Sequence, residues 1–329
     1  MPNPPARPKH WLAWATFVGI VALLTTDLIC AQVRRDDAPK SEKVDAGLFA
    51  RDNLTAWCIV PFDSKNRDPE ARAAMLEKLG FKHFAYDWRA EHVPTFDAEV
   101  DALKRHGVEL TAFWGPAELN DDSKRILDLL KRHHIKAQLW VLTDFGPDKA
   151  EGAEQERRVS EGAARVASLA RAAAEIGCTV GLYNHGGWFG EPENQIAIIE
   201  RLKKDGIDNV GLVYNLHHGH DHLDRLPALL KTMMPHLMAL NINGMDVGGD
   251  RVGRKILPLG QGEEDLKLLR IIRESGYKGR IGILGHTQDD AEERLRDNLD
   301  GLDWLVPQLD GAAPGPKPTP RTPVPPRPA

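Results

Sequence analysis

The chain has 329 residues, 42% of them apolar, and 43 Lys and Arg against 48 Asp and Glu give a formal net charge of −5. That is ample apolar material for a large packed core. The acidic balance supplies no basic field for a polyanion, so nucleic acid is not an expected partner.

Residues 1–31 read as an export signal, with basic Arg7 and Lys9, an apolar run from Trp11 to about Leu24, and small Ala31 at the end. The expected location is therefore periplasmic or extracellular. The alternative is an N-terminal membrane anchor, since Trp11 to Ile29 could span if Asp27 is tolerated near its end. With the signal cleaved, no integral span is expected. Residues 32–53, rich in Asp, Lys and Arg, form a polar leader.

From residue 54 to residue 306 the chain alternates eight times between an apolar, strand-like run and a charged, helix-like stretch. The strand-like runs are TAWCIV from Thr55, HFAYDW from His83, ELTAFW from Glu109, AQLWVLT from Ala137, CTVGLYN from Cys178, VGLVYNL from Val210, LMALNIN from Leu237 and RIGILG from Arg280. The helices are expected to begin near Asp68, Phe96, Asp121, Glu154, Pro192, Leu223, Glu263 and Asp289. Asp68 before Pro69 offers an N-cap with proline in the first turn, and Gly80, Gly107 and Gly276 punctuate helix ends. Such units over about 250 residues match a single (β/α)8 TIM barrel in the α/β class. An open doubly wound sheet is disfavoured, because no GxGxxG opens a helix after a strand.

Residues 307–329 are a Pro-rich tail, expected to be a disordered, solvated tether. Cys58 and Cys178 fall in the first and fifth strands, on opposite sides of such a barrel. A disulfide needs Cα atoms within about 7 Å, so both are expected as free thiols.

Polar residues close nearly every strand, and the C-terminal ends of barrel strands are where such folds build their sites. Asp87 and Arg89 share a face after the second strand, suited either to pairing with each other or to gripping a hydroxylated substrate. Trp114 and Trp140 end the third and fourth strands, as stacking platforms or as core. The segment YNHGGWFGEPENQ brings Asn184, His185 and Glu191, the last two a candidate base and acid pair. NLHHGH brings Asn215, His217, His218 and His220; Asn241 and Asn243 follow on the seventh strand and His286 on the eighth. His185, His218 and His286, with Asn243 as an oxygen donor, are the candidate metal ligands. A neutral His and Asn cage lacks the carboxylates that hold Mg or Mn, so a divalent cofactor is left open.

LYNHGG, NLHH and LGQGE together resemble the xylose isomerase-like barrel superfamily, which includes sugar phosphate isomerases, ketose 3-epimerases and inosose dehydratases. The resemblance covers residues 54–306. It implies a small carbohydrate substrate, with Gln261 of LGQGE joining the substrate-binding set. It also implies a site where two Glu, one Asp and one His hold a divalent ion. In this chain Tyr183, Asn215, Asn243 and Leu284 or Gly285 stand where those ligands would be. His218 matches the family's substrate-contacting His. The implied function is an exported isomerase, epimerase or lyase of the hydratase type that moves a proton next to a sugar carbonyl. His185, Glu191 and His218 are then catalytic, and His286 and the amides hold developing negative charge. The alternative is a non-catalytic carbohydrate-binding barrel, with Trp114, Trp140 and Trp188 as platforms. A divalent-metal hydrolase of the endonuclease branch is a third reading, disfavoured by the acidic balance. Neither the sugar nor the oligomeric state is legible.

Overall fold

A strand at each expected position pairs in parallel with the next, and the eighth closes on the first. In this computed structural model, residues 46–146 and 149–327 are described, all within the unit spanning 45–329. The strands are β1 Leu54–Trp57, β2 His83–Tyr86, β3 Glu109–Pro116, β4 Gln138–Leu142, β5 Thr179–Tyr183, β6 Val210–Asn215, β7 Leu237–Ile242 and β8 Arg280–Leu284. Between them lie α1 Pro69–Leu79, α2 Phe96–Arg105, α3 Asp121–Arg132, α4 Gly152–Glu175, the single turn α5 Gly187–Gly190, α6 Pro192–Lys204, α7 Leu226–Met233 and α8 Asp265–Glu274. The last helix, α9 Ala291–Leu309, follows β8. The chain therefore forms one (β/α)8 barrel. The expected export signal lies outside the described residues.

Local chemistry explains the boundaries. The Asp68 carboxylate accepts from the Ala71 amide at 2.8 Å and caps α1, which Gly80 ends in a left-handed conformation. The first strand stops earlier than TAWCIV suggests, because Cys58 turns to a φ of 56° and leaves the extended region. Alternate residues face two cores. Outward residues such as Phe84, Leu182 and Tyr214 pack under the helices, while Trp57, Ala85, Ala112, Trp140, Tyr183, Val213, Ala239 and Leu284 fill the barrel. Arg72 of α1 and Glu99 of α2, both buried, are ion-paired between the first two helices.

Two expected boundaries change. The polar leader ends before residue 53: Leu48 and Phe49 are buried in the outer core, and Asn53 Nδ2 donates to Leu48 O at 2.8 Å and to Gly279 O at 3.0 Å. The Pro-rich tail is not a solvated tether over its described part. It has no helix or strand, yet it follows the surface of α9. The Trp304 indole donates to Gly315 O at 2.9 Å, and the Asp297 carboxylate accepts from the Arg321 amide at 2.8 Å and the Thr322 hydroxyl at 2.7 Å. Proline lacks an amide donor but keeps its carbonyl, and Pro318 O and Pro325 O accept from Gln261 and Arg254. Pro307, placed in the tail by composition, belongs to α9.

Cys58 and Cys178 are buried and free.

Candidate active site at the barrel mouth

On five strands the inward row runs on to the C-terminal mouth. Two residues beyond inward-facing Ala85 comes Asp87; beyond Ala112, Trp114; beyond Tyr183, His185; beyond Val213, Asn215 and then His217; and beyond Leu284, His286. The period of two therefore delivers polar groups from separate strands to one mouth.

Beneath them lies an aromatic plug. The rings of Trp57 and Trp140 meet edge-on at 4.8 Å and those of Trp114 and Tyr183 at 5.0 Å, and the Trp57 indole donates to the Tyr183 hydroxyl at 3.3 Å. Trp140, expected as a substrate platform, is a core residue, 2% exposed, with its N–H on Gln138 Oε1 at 2.8 Å. Trp188 is likewise buried and donates to Gln155. Trp114, half-buried, is the tryptophan of the plug with surface left for a ligand.

Above the plug the imidazoles gather. Ring centres of His185 and His218 are 4.3 Å apart, those of His217 and His218 3.8 Å, and those of His217 and His286 6.0 Å. His217, which was left out of the expected catalytic and ligand sets, is buried and its Nε2 has no hydrogen-bond partner among the described residues. Burial, then the neighbouring His185 and Lys255 charges, push His218 down to about 2. Burial with Lys255 and Arg89 brings His286 to about 4, and His185 and His217 are lowered by burial first. At neutral pH the cluster is uncharged and offers both donors and acceptors.

Lys255 is the residue the sequence did not disclose. It lies in the loop between β7 and α8, and its charge acts on all of His185, His217, His218 and His286. Its loop is fixed from several sides. Lys255 O accepts from His220 Nε2 at 3.0 Å and Asn243 Nδ2 at 3.4 Å, and buried Arg254 pairs with Asp246 at 2.5 Å. Asp265 accepts from the amides of Met245 and Gly260, both at 2.7 Å. A Cβ at Gly244 would lie 2.2 Å from Pro258 O, so only glycine permits this closure.

Asp87 is 2% exposed. Its Oδ1 accepts from the Val60 amide at 3.2 Å, and its Oδ2 has no partner among the described residues. Burial raises its carboxyl to about 7, against the opposing pull of the Val60 bond and the Arg89 charge. Of the two uses expected of Asp87 and Arg89, the side-chain pair does not form. The Arg89 guanidinium donates to the carbonyls of Asp87 at 3.0 Å and Trp88 at 2.7 Å, and it lies 5.5 Å from the centre of the Phe62 ring, which packs on His286 at 3.8 Å.

Glu191 departs most from expectation. Its carboxylate takes the Arg225 guanidinium at 2.5 Å and lies 3.4 Å from His222 Nε2, and His222 is the main cause holding it below the usual carboxylate range. Among the described residues no hydrogen bond or ring contact joins it to His185. It ties the start of α6 to the segment after β6.

The asparagines also divide. Asn215 donates through its amide and its Nδ2 to Asn184 Oδ1 at 2.7 and 2.9 Å, and Asn241 Nδ2 donates to Asn215 Oδ1 at 2.5 Å. All three are buried, so this chain of amides braces β5, β6 and β7 and leaves little for a substrate at the mouth. Asn243 keeps a buried Oδ1 without a partner. Gln261 is turned to the tail, where its Nε2 meets Pro318 O at 3.0 Å.

Among the described residues no three His, Cys, Asp or Glu side chains are arranged to hold a metal ion. The chemistry of the donor positions agrees. Tyr183 is a buried phenol bonded to Trp57, Leu284 is core, and Asn215 is spent on its neighbours. The carboxylate cage implied by the family resemblance therefore does not fit these residues, and the imidazole set of His185, His218 and His286 with Asn243 does not form a chelate in its place.

A closed parallel barrel with its polar groups at the C-terminal mouth defines the class. The chain belongs to the xylose isomerase-like TIM barrel family, whose model matches residues 73–307. No curated protein sequence matched it. Among solved structures it is similar to the IolI protein with a bound zinc atom, at 15% identity and a TM-score of 0.60 over 78% of this chain and 98% of that one. It is also similar to the 3-keto-D-glucoside 4-epimerase YcjR from E. coli, at 16% identity and a TM-score of 0.56 over 78% and 99%. A D-psicose 3-epimerase with D-tagatose from Clostridium cellulolyticum H10 aligns at 15% identity and a TM-score of 0.54 over 78% and 99%. At such identities these likenesses carry the fold alone. Among the described residues no helix is long and apolar enough to cross a membrane.

Proposed function

We propose that this barrel is a carbohydrate isomerase or epimerase that moves a proton at the carbon beside a sugar carbonyl. The observation that carries the reading is Asp87, a buried carboxyl raised to about 7, which follows β2 at the same end of the barrel as the neutral imidazoles of His185 and His218. A general base and acid works best when its pKa lies near the operating pH. Glu191, fixed in ion pairs, gives up that role.

In the proposed step ionised Asp87 takes the α-proton and the C–H electron pair moves into an enediolate. His185 and His218 donate hydrogen bonds to the oxygen that gains charge, and the Lys255 cation favours the same charge. Return of the proton to the neighbouring carbon, with the hydroxyl proton passing from one oxygen to the other through an imidazole, isomerises the sugar; delivery of a proton by His185 to the opposite face of the same carbon, while Asp87 keeps the one it took, epimerises it. Trp114 is the surface offered to the sugar's CH face. The substitution of Tyr183, Asn215, Asn243 and Leu284 at the family's ligand positions motivates the second reading, a barrel that binds sugar without turnover. The apolar run of the expected export signal, Trp11 to about Leu24, supports placing either activity outside the cytoplasm.

Kinetics of Asp87→Asn and His218→Ala on a substrate found by screening aldoses and ketoses test the assignment. Loss of kcat with sugar binding retained is expected. Unchanged kcat in Asp87→Asn refutes the base.

A further inference from the structure

The chain as a whole is acidic, yet two exposed cations stand at the mouth, and neither is ion-paired among the described residues. The first, Arg89, is held in place. Its Nη1 donates to Asp87 O at 3.0 Å and Trp88 O at 2.7 Å, and its Cζ lies 5.5 Å from the centre of the Phe62 ring. Phe62 in turn packs on His286 with ring centres 3.8 Å apart, so the guanidinium is fixed on the His286 side of the mouth. Both of its bonds use Nη1. Nε and Nη2, the two donors that meet a carboxylate side-on, have no partner among the described residues.

The second cation is Lys255. Its carbonyl is pinned by His220 Nε2 and Asn243 Nδ2, and the next residue, Ile256, packs against the barrel-lining cluster that contains Trp57 and Tyr183. The acids of its own loop, residues 243–264, are engaged elsewhere. Arg254 takes Asp246, His220 lies 3.7 Å from Asp250, Arg327 takes Glu263, and Lys267 takes Glu264 at 2.7 Å. The Lys255 charge is left to act on the imidazoles of His185, His217, His218 and His286.

We propose that the substrate of this mouth is a sugar acid, whose carboxylate is taken by Arg89 through Nε and Nη2 and drawn in by the charge of Lys255. The inference rests on reading the mouth as a sugar site, and it names the class of sugar. A carboxylate has two oxygens in one plane for the two donors left on a planar guanidinium that is already positioned. A phosphate brings a third oxygen and a second charge, for which the free edge of Arg89 has no further donor. A neutral sugar leaves both cations without a counter-charge.

Titration calorimetry on the full chain compares D-glucuronate with D-glucose and D-galacturonate with D-galactose, pairs that differ only at the carbon carrying the carboxylate. In at least one pair the uronate is expected to bind about tenfold or more tighter, with the preference reduced to about twofold in Arg89→Gln and lowered in Lys255→Gln. Lys255→Gln alters an exposed side chain without partners among the described residues, so it reads binding even where Arg89→Gln disturbs the exit of β2. Uronates that bind no tighter than the neutral sugars overturn the inference, as does a preference that survives both substitutions. Glucose 6-phosphate bound more tightly than glucuronate through the same two residues also overturns it, in favour of a phosphate. Deuterium exchange on the bound sugar separates this inference from the reaction. A uronate held through Arg89 with no deuterium taken up removes the isomerase reading and leaves the acid site standing; a neutral sugar exchanged through Asp87 with no preference for uronates does the reverse.

Discussion

Asp87 and Val60 are joined by one hydrogen bond, amide to Oδ1 at 3.2 Å, which fixes the carboxyl at the mouth while leaving Oδ2 without a partner. The raised pKa of about 7 follows from burial, with the bond acting against it. If ionised Asp87 is the base, kcat/KM rises with pH to a plateau above about 7. Asp87→Asn keeps the Val60 bond and is expected to lower kcat by about 10²–10⁴-fold. A pH profile of wild type beside this variant checks it.

Glu191→Gln is expected to leave turnover within about twofold. The pair with Arg225 is half exposed, 44% and 40% for the two side chains, and such pairs contribute about 0–1 kcal/mol. Because the carboxyl is held below its ordinary value, its contribution is full above the normal carboxylate range and disappears as pH falls through the lowered value. Melting curves at neutral and acid pH measure this, and a large loss of kcat with unchanged melting would restore Glu191 to the chemistry.

His286, lowered to about 4 by burial first, binds its proton more readily in the unfolded chain. Stability therefore falls as pH drops from the usual histidine range, near 6.5, through about 4. Asp87, raised to about 7, acts in the opposite direction over the same window, so the comparison must be with a variant. The difference in melting temperature between His286→Phe and wild type is expected to widen in favour of the variant on acidification.

The tail braces the loop that carries Lys255. Thr322 is 5% exposed and its hydroxyl and amide both reach Asp297, while Pro325 O accepts from Arg254. Removing residues 312–329 leaves the buried Asp297 carboxylate without those donors and is expected to cost about 1–3 kcal/mol. Hydrogen exchange in the segment 244–264 should accelerate in the shortened chain. Unchanged exchange and melting would show the tail to be dispensable.

Breaking the buried Arg72–Glu99 pair by Glu99→Ala is expected to destabilise by about 3–5 kcal/mol, because Arg72 remains buried and charged. Denaturant unfolding reads the change directly.

The strand order and the mouth were legible because a period of two states which face a residue takes. His185, His217 and His286 follow from it, whereas His218 is brought beside His185 by the turn at Leu216–His218 that ends the strand. Depth along the barrel axis is not written in that period, so Trp140 and Asn241 were expected at the mouth and lie in the aromatic plug and in the buried chain of amides. Partners distant in sequence are equally silent: nothing near Glu191 announces Arg225, and nothing near Gln261 announces Pro318. Lys255 is one lysine among many until its loop closes. For the tail, composition reports the loss of helix and strand but not the free proline carbonyls that dock it.

The most direct measurement is incubation of the protein with candidate ketoses and aldoses in D2O, with deuterium in the recovered sugar read by mass spectrometry. One deuterium is expected at the carbon beside the carbonyl, dependent on Asp87. Saturable sugar binding with no deuterium incorporated from any bound sugar would contradict it and leave a carbohydrate-binding barrel.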